Sequence, residues 1–221
     1  MMRVHVICEG LTEEIFVNEV LSDFFNPKGI YLYPSLVGKP GHKGGNLKLE
    51  RLLTDLRGRL LSDQNAYCTT FFDFYGLAPD FPGKVEAIEK ASSTEKSACV
   101  LNAFSNVLRI KLGETPLHRF IPYVQMYEFE GLLFSDPIAF AQGINQKRLI
   151  NAFQEIRNKF KSPEEINDSS DTAPSKRIKA LFSEYDKPVH GSLAALQIGL
   201  SVIRQECPLF DGWLKRIEAL Q

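Results

Sequence analysis

The chain has 221 residues, 44% of them hydrophobic and 24% charged, with a formal net charge of −1. That length carries a substantial core, and the composition is that of an ordinary globular protein. The charge excludes a protein that holds nucleic acid through a basic tail alone, and no segment approaches the ~20 apolar residues of a membrane span. Cys8, Cys68, Cys99 and Cys207 stand far apart, without the paired spacing of a zinc ribbon or a disulfide framework. Reduced thiols and a cytoplasmic location are expected.

Residues 3–8 form an apolar, β-branched run that Cys8-Glu9-Gly10 interrupts, so the start reads as a first strand rather than a signal segment. Thr12 offers an N-cap, and Ile15, Phe16, Val20, Leu21 and Phe24 recur at helical spacing, predicting a helix over about 12–25. Asn26-Pro27-Lys28-Gly29 stops it, and Ile30 to Val37 reads as a second strand. Residues 38–45 form a glycine-rich loop, and leucines from Leu47 to Leu61 mark the next helix. A third strand runs from Tyr67 to Phe72, helices extend to about Leu112, and a fourth strand runs from Arg119 to Met126. Beyond residue 137 the pattern turns helical, with a polar linker over 162–175 and helices near 176–185, 191–205 and 208–220.

The alternation predicts an α/β fold, an open and mainly parallel four-stranded sheet flanked by helices. Residues 1–137 would form the core and 138–221 a helical C-terminal extension packed on it. Parallel strands with right-handed crossovers place their C-terminal ends on one edge, where open α/β sheets bind ligands. Glu9, Asp73 and the Glu128/Glu130 pair each follow one of these strands. Acids gathered there repel one another unless a cation is present, and hard oxygen donors suit Mg²⁺ or Mn²⁺. A single acid after a strand is as readily a cap or a solvated loop residue. The convergence of three such positions is what points to a metal site.

Cys8-Glu9-Gly10-Leu11-Thr12-Glu13 resembles the Glu-Gly-x-Thr-Glu signature that opens the Toprim domains of OLD-type nucleases, and Phe71 to Gly76 stands where Toprim domains carry Asp-x-Asp. The phrase from Tyr127 to Pro137, with Ala173 to Arg177 and Cys207-Pro208, is similar to a Toprim-like family catalogued as domain of unknown function 4276. The resemblance covers essentially the whole chain. It implies a Toprim-like sheet and a metal-dependent phosphodiester hydrolase with one or two divalent ions. Glu9 would be ligand or general base, Asp73 the principal ligand, and Glu128 and Glu130 would complete the site. A lysine from the C-terminal part would stabilise the transferring phosphate: Lys176 resembles that role best, with Lys187 as its reserve. Such proteins work in phage defence beside an ABC/SMC-like ATPase, and this chain has no Walker motif of its own. The chain departs from the pattern at Tyr75, which replaces the second aspartate and is a poor ligand for Mg²⁺. The competing reading is a catalytically silent adaptor or sensor subunit.

Lys39, Lys43, Lys48 and Arg51 on the glycine loop and the following helix, together with Arg177, are candidates for gripping a nucleic-acid backbone, with DNA ahead of RNA. A solvated helix face accounts for the same charges. Trp213 shares helix spacing with Leu209, Phe210, Leu214 and Ile217, and reads as packing surface rather than a base-stacking platform. Glu128 and Glu130, two apart in an extended segment, would point to the same side of the sheet, with Phe129 opposite. Glu130 could instead cap a helix starting at Gly131.

Overall fold

The computed structural model describes residues 1–37, 47–167 and 172–220. β1 (Met2–Cys8), β2 (Ile30–Leu36), β3 (Ala66–Phe71) and β4 (Phe120–Ile121) pair in parallel in the order β2-β1-β3-β4. The fold is α/β, with helices on both faces of the sheet. After β1 the chain moves to one side for β2, then returns past β1 for β3. The gap between the C-terminal ends of β1 and β3 is therefore the point where strand order reverses, the usual ligand crevice of an open parallel sheet.

Alternation along β1 sorts its side chains between two cores. Val4, Val6 and Cys8 face a cluster containing Phe16, Phe71, Phe129, Phe140 and Phe210, while Ile7 faces one built on Leu52, Leu56, Phe72 and Phe104. α1 (Leu11–Phe16) runs through a π turn (Val17–Leu21) into α2 (Ser22–Phe25). This helical stretch starts one residue before the expected cap. Gly10 takes the N-cap position because the Glu13 carboxylate folds back to accept its N–H at 2.9 Å, and Thr12 is buried inside the first turn. Gly29, at φ 72°, ends the stretch in a conformation that favours glycine.

The second face is covered by α3 (Leu49–Ser62), α4 (Lys84–Ile88) and α5 (Ser93–Leu112), followed by the single turn α6 (Glu114–Leu117). The first face is covered by α1 and by α7 (Glu130–Leu133), α8 (Pro137–Gly143), α9 (Ile150–Arg157), α10 (Pro174–Leu181), α11 (Lys187–Ile198), α12 (Leu200–Glu206) and α13 (Pro208–Glu218). Residues on both sides of position 137 thus share one core. Trp213 of α13 stacks on Tyr123 at 4.4 Å and donates to Thr69 Oγ1 at 2.8 Å, so it is interior packing.

The fourth strand is shorter than its apolar run. Pro122 carries no N–H, so past Ile121 the side chain of Thr70 substitutes for the ladder: its hydroxyl donates to Tyr123 O at 2.8 Å and accepts from Tyr123 N–H at 3.0 Å. Pairing resumes only at the isolated bridge between Asp73 and Gln125. In β2, Pro34 is tolerated because the bonds flanking the strand, Val37 N–H to Cys8 O and Met2 N–H to Gly29 O, set an alternation that turns the Pro34 nitrogen away from β1, towards the open edge.

Candidate functional site

The crevice between β1 and β3 is built around two carboxylates. Glu9 leaves the end of β1 and accepts the Asp73 N–H at 3.0 Å. Asp73, 7% exposed beyond the end of β3, accepts the Phe129 N–H at 2.7 Å from the segment following β4. One chain of hydrogen bonds therefore ties the ends of all three strands together. The turn after Asp73 wraps the Glu9 carboxylate so closely that a Cβ on Gly76 would lie 2.1 Å from Glu9 Oε1. Any side chain there would have to displace the Glu9 carboxylate.

The Glu128/Glu130 segment is not extended. Tyr127 has φ 64°, a left-handed conformation costly for a bulky residue, and Phe129 is already α-helical. Glu130 is the first residue of α7 rather than a cap for it. Phe129 points into the core, and the two glutamates meet the C-terminal helices. Glu128 accepts the Ser175 N–H at 2.8 Å and its hydroxyl at 2.9 Å, so it fills the anion position at the start of α10. Glu130 is fully buried and accepts from Lys187 Nζ at 2.9 Å, which lies 3.9 Å from Glu128 Oε1.

Lys187 is therefore the cation that α11 brings to the acids. Lys176, the lysine favoured by the sequence reading, is exposed on α10, while Arg177 donates to Thr172 O at 2.7 Å and lies over the Phe160 ring. The structure puts neither against the carboxylates, because the anion that meets the first turn of α10 is Glu128. Lys48 and Arg51 are exposed at the start of α3. Lys39 and Lys43 lie outside the described residues. The segment that carries them is flanked by Val37, which donates to Cys8 O, and by Leu47, which donates to Gly76 O, so both flanks meet the site's edge of the sheet.

The sequence reading missed Glu13 as a site residue. It is 5% exposed, and repulsion from Glu9 adds to its burial. Its signal was the spacing Glu9-x-x-x-Glu13 across a strand-to-helix turn, which folds both acids to one place. Lys84 also reaches the crevice, bonding to Leu77 O and feeling the Glu9 charge. Tyr75 accepts a hydrogen bond from Asn167.

The electrostatics are those of acids packed tighter than their own charge tolerates. Burial raises the Glu9 carboxyl, with Lys187 partly offsetting it and Glu128 reinforcing it. Burial, then repulsion from Glu13 and Glu9, pushes Asp73 well above the carboxylate range. Burial carries Glu13 and Glu130 each to about 7. For Lys187, burial pulls the ammonium down, but Glu130, Asp73 and Glu128 more than reverse it and leave it raised. The cluster accordingly holds protons or attracts cations near neutrality.

A family model described as "Domain of unknown function (DUF4276)" matches residues 8–218. The chain belongs to the DUF4276 family. No curated protein and no solved structure matches it. The match to DUF4276 begins at Cys8, immediately before Glu9, and ends at Glu218, the last residue of α13, so it contains every acid of the crevice as well as Lys187.

The donor set suits a hard divalent ion: carboxylate oxygens throughout, and in Glu130 Oε1 a buried acceptor with no hydrogen-bond partner among the described residues. Among those residues, as they stand, no group of three or more His, Cys, Asp and Glu side chains could hold a metal ion. Glu9 and Asp73 each commit one oxygen to a backbone N–H and Glu130 commits one to Lys187, so any ion would draw on their other oxygens. No helix among the described residues is long and apolar enough to cross a membrane.

Proposed function

We propose that the chain is a metal-dependent phosphodiester hydrolase of Toprim type, acting on nucleic acid, DNA ahead of RNA, beside an ABC/SMC-like ATPase in phage defence. One observation carries this reading. Glu9 and Asp73 are hydrogen-bonded together at the point where strand order reverses, with Glu13, Glu128, Glu130 and Lys187 converging on them. Glu9, Asp73 and Glu130 would hold one or two Mg²⁺ or Mn²⁺ ions. When bound, such an ion supplies Lewis acidity and lowers the pKa of its water.

The chain's own groups account for the rest. Glu9 and Asp73 are fixed by backbone donors, so their free oxygens keep a defined direction without further ordering. Lys187 is kept charged by the acids around it, and its side chain, 37% exposed, would let its ammonium meet a phosphate oxygen from solvent. Lys48 and Arg51 would contact the backbone of a bound strand without reading its sequence.

A second reading has its own observation. The Lys187–Glu130 pair neutralises the acids from within the chain, and Tyr75 is engaged by Asn167, an arrangement that suits a silent adaptor of the same fold. Cleavage of single- and double-stranded DNA and RNA with Mn²⁺, by the parent and by Asp73→Asn, separates the two. Hydrolysis by the parent alone, together with a rise in its Tm on adding Mn²⁺, supports the hydrolase. No cleavage and no Tm response support the adaptor.

A further inference from the structure

Two buried polar side-chain atoms have no hydrogen-bond partner among the described residues: Glu130 Oε1 and the Tyr185 hydroxyl. They are close neighbours in the fold. Tyr185 lies two residues before Lys187, whose Nζ holds the other oxygen of Glu130. A Cβ on Gly191 of α11 would stand 3.3 Å from the Tyr185 hydroxyl and 3.4 Å from the ring of Phe129, the residue next to Glu130. Among the charges acting on the hydroxyl, Glu130 is the strongest, followed by Glu128. A glycine inside a 12-residue helix is less favourable than alanine. Here it leaves room for the hydroxyl to sit between α11, Phe129 and Thr12 of α1.

The chemistry of the two atoms is complementary. A buried phenol is a donor, and an ionised carboxylate oxygen is an acceptor. Leaving both unsatisfied in the interior would be costly, whereas a single buried water bridging the two settles both. We propose that Tyr185 is a positioning residue: through a single bridging water its hydroxyl engages Glu130 Oε1 and holds this carboxylate in the orientation that presents Lys187 to the crevice. His190 backs the tyrosine from the solvent side. Its ring stacks on Tyr185 at 5.7 Å, while its Nδ1 accepts the Asp186 N–H at 2.8 Å, so the tyrosine ring is held as well as buried. Tyr185 need not touch substrate; it acts through Glu130 and Lys187.

Tyr185→Phe removes one oxygen and keeps the ring. If the hydroxyl is bridged to Glu130 through water, the variant loses that bridge and its Tm falls by about 4 °C in metal-free buffer. If the hydroxyl is truly without a partner, deleting it removes a buried polar group and the Tm stays level or rises, which overturns the proposal. A cycle with Glu130→Gln checks the pairing: the effect of Tyr185→Phe should shrink by at least half when Glu130→Gln is already present, and an undiminished effect refutes it. By NMR, a slowly exchanging, downfield tyrosine hydroxyl proton should be present in the parent, absent in Tyr185→Phe and shifted in Glu130→Gln. The catalytic part rests on the hydrolase reading: kcat should fall about tenfold with KM changed less than twofold. An unchanged kcat beside a lowered Tm refutes positioning. A parent that cleaves nothing refutes the hydrolase while the stability cycle still decides the bond.

Discussion

Replacing Lys187 by Met tests whether this lysine, and not Lys176, is the cation of the site. Lys187 Nζ is 2.9 Å from Oε2 of Glu130, a residue with no exposed surface, and 3.9 Å from Glu128. Removing one partner of a buried pair costs about 3–5 kcal/mol because the other charge is stranded. The lysine side chain keeps 37% of its surface exposed, so solvent already screens its end, and about 2 kcal/mol is the expected loss at pH 8. Glu130 can escape by taking a proton, since burial holds it at about 7 even with the lysine present. At pH 5.5 it is protonated in both proteins, and the loss should fall below about 1 kcal/mol. Lys176→Met alters an exposed side chain and should stay within about 0.5 kcal/mol at either pH. Urea denaturation of both variants at the two pH values, without metal, measures these numbers. An equal loss for Lys187→Met at pH 5.5 and pH 8, or a larger loss for Lys176→Met, would refute the reasoning.

Other outcomes follow from the same cluster. Asp73→Asn retains an acceptor for the Phe129 N–H while removing a charge repelled by Glu13 and Glu9, so the metal-free Tm should rise by a few degrees as cleavage is lost; calorimetry with a chelator checks it. Glu13 and Glu130 titrate near 7 when folded and near 4.5 when unfolded, so the folded state binds more protons between those values. Metal-free stability should therefore fall as pH rises from about 4.5 to 7, by about 3 kcal/mol for Glu130 alone. Mn²⁺ should flatten that slope, and a Tm that climbs with pH across the window contradicts it. Gly76→Ala drives a Cβ into the Glu9 carboxylate and should displace it, costing about 2 kcal/mol or more and abolishing any Mn²⁺-induced rise in Tm, as thermal shift would show.

Local pattern determined much of this molecule. Apolar, β-branched and aromatic runs in residues 3–8 and 67–72 and helical spacing in 47–61 announced strands and helices at positions the structure bears out within a residue or two. The acids at Glu9 and Asp73 were legible for the same reason: each sits one or two residues past a recognisable strand end, and parallel connectivity sends such ends to one edge. What needed the tertiary structure was everything fixed by partners distant in sequence. Lys176 and Lys187 look alike as sequence, and only the packing of α10 and α11 against α7 decides which ammonium meets Glu130. Glu128 and Glu130 could not be assigned from an extended reading, because the left-handed turn at Tyr127 breaks the alternation. The fourth strand looked long because hydrophobicity does not register the N–H that Pro122 lacks. Glu13 closed the opening motif without a role of its own until the sheet and α11 packed around it. Side chains advertise burial and periodicity locally, but a charge becomes a site only when the fold decides which other charges it must face without water between them.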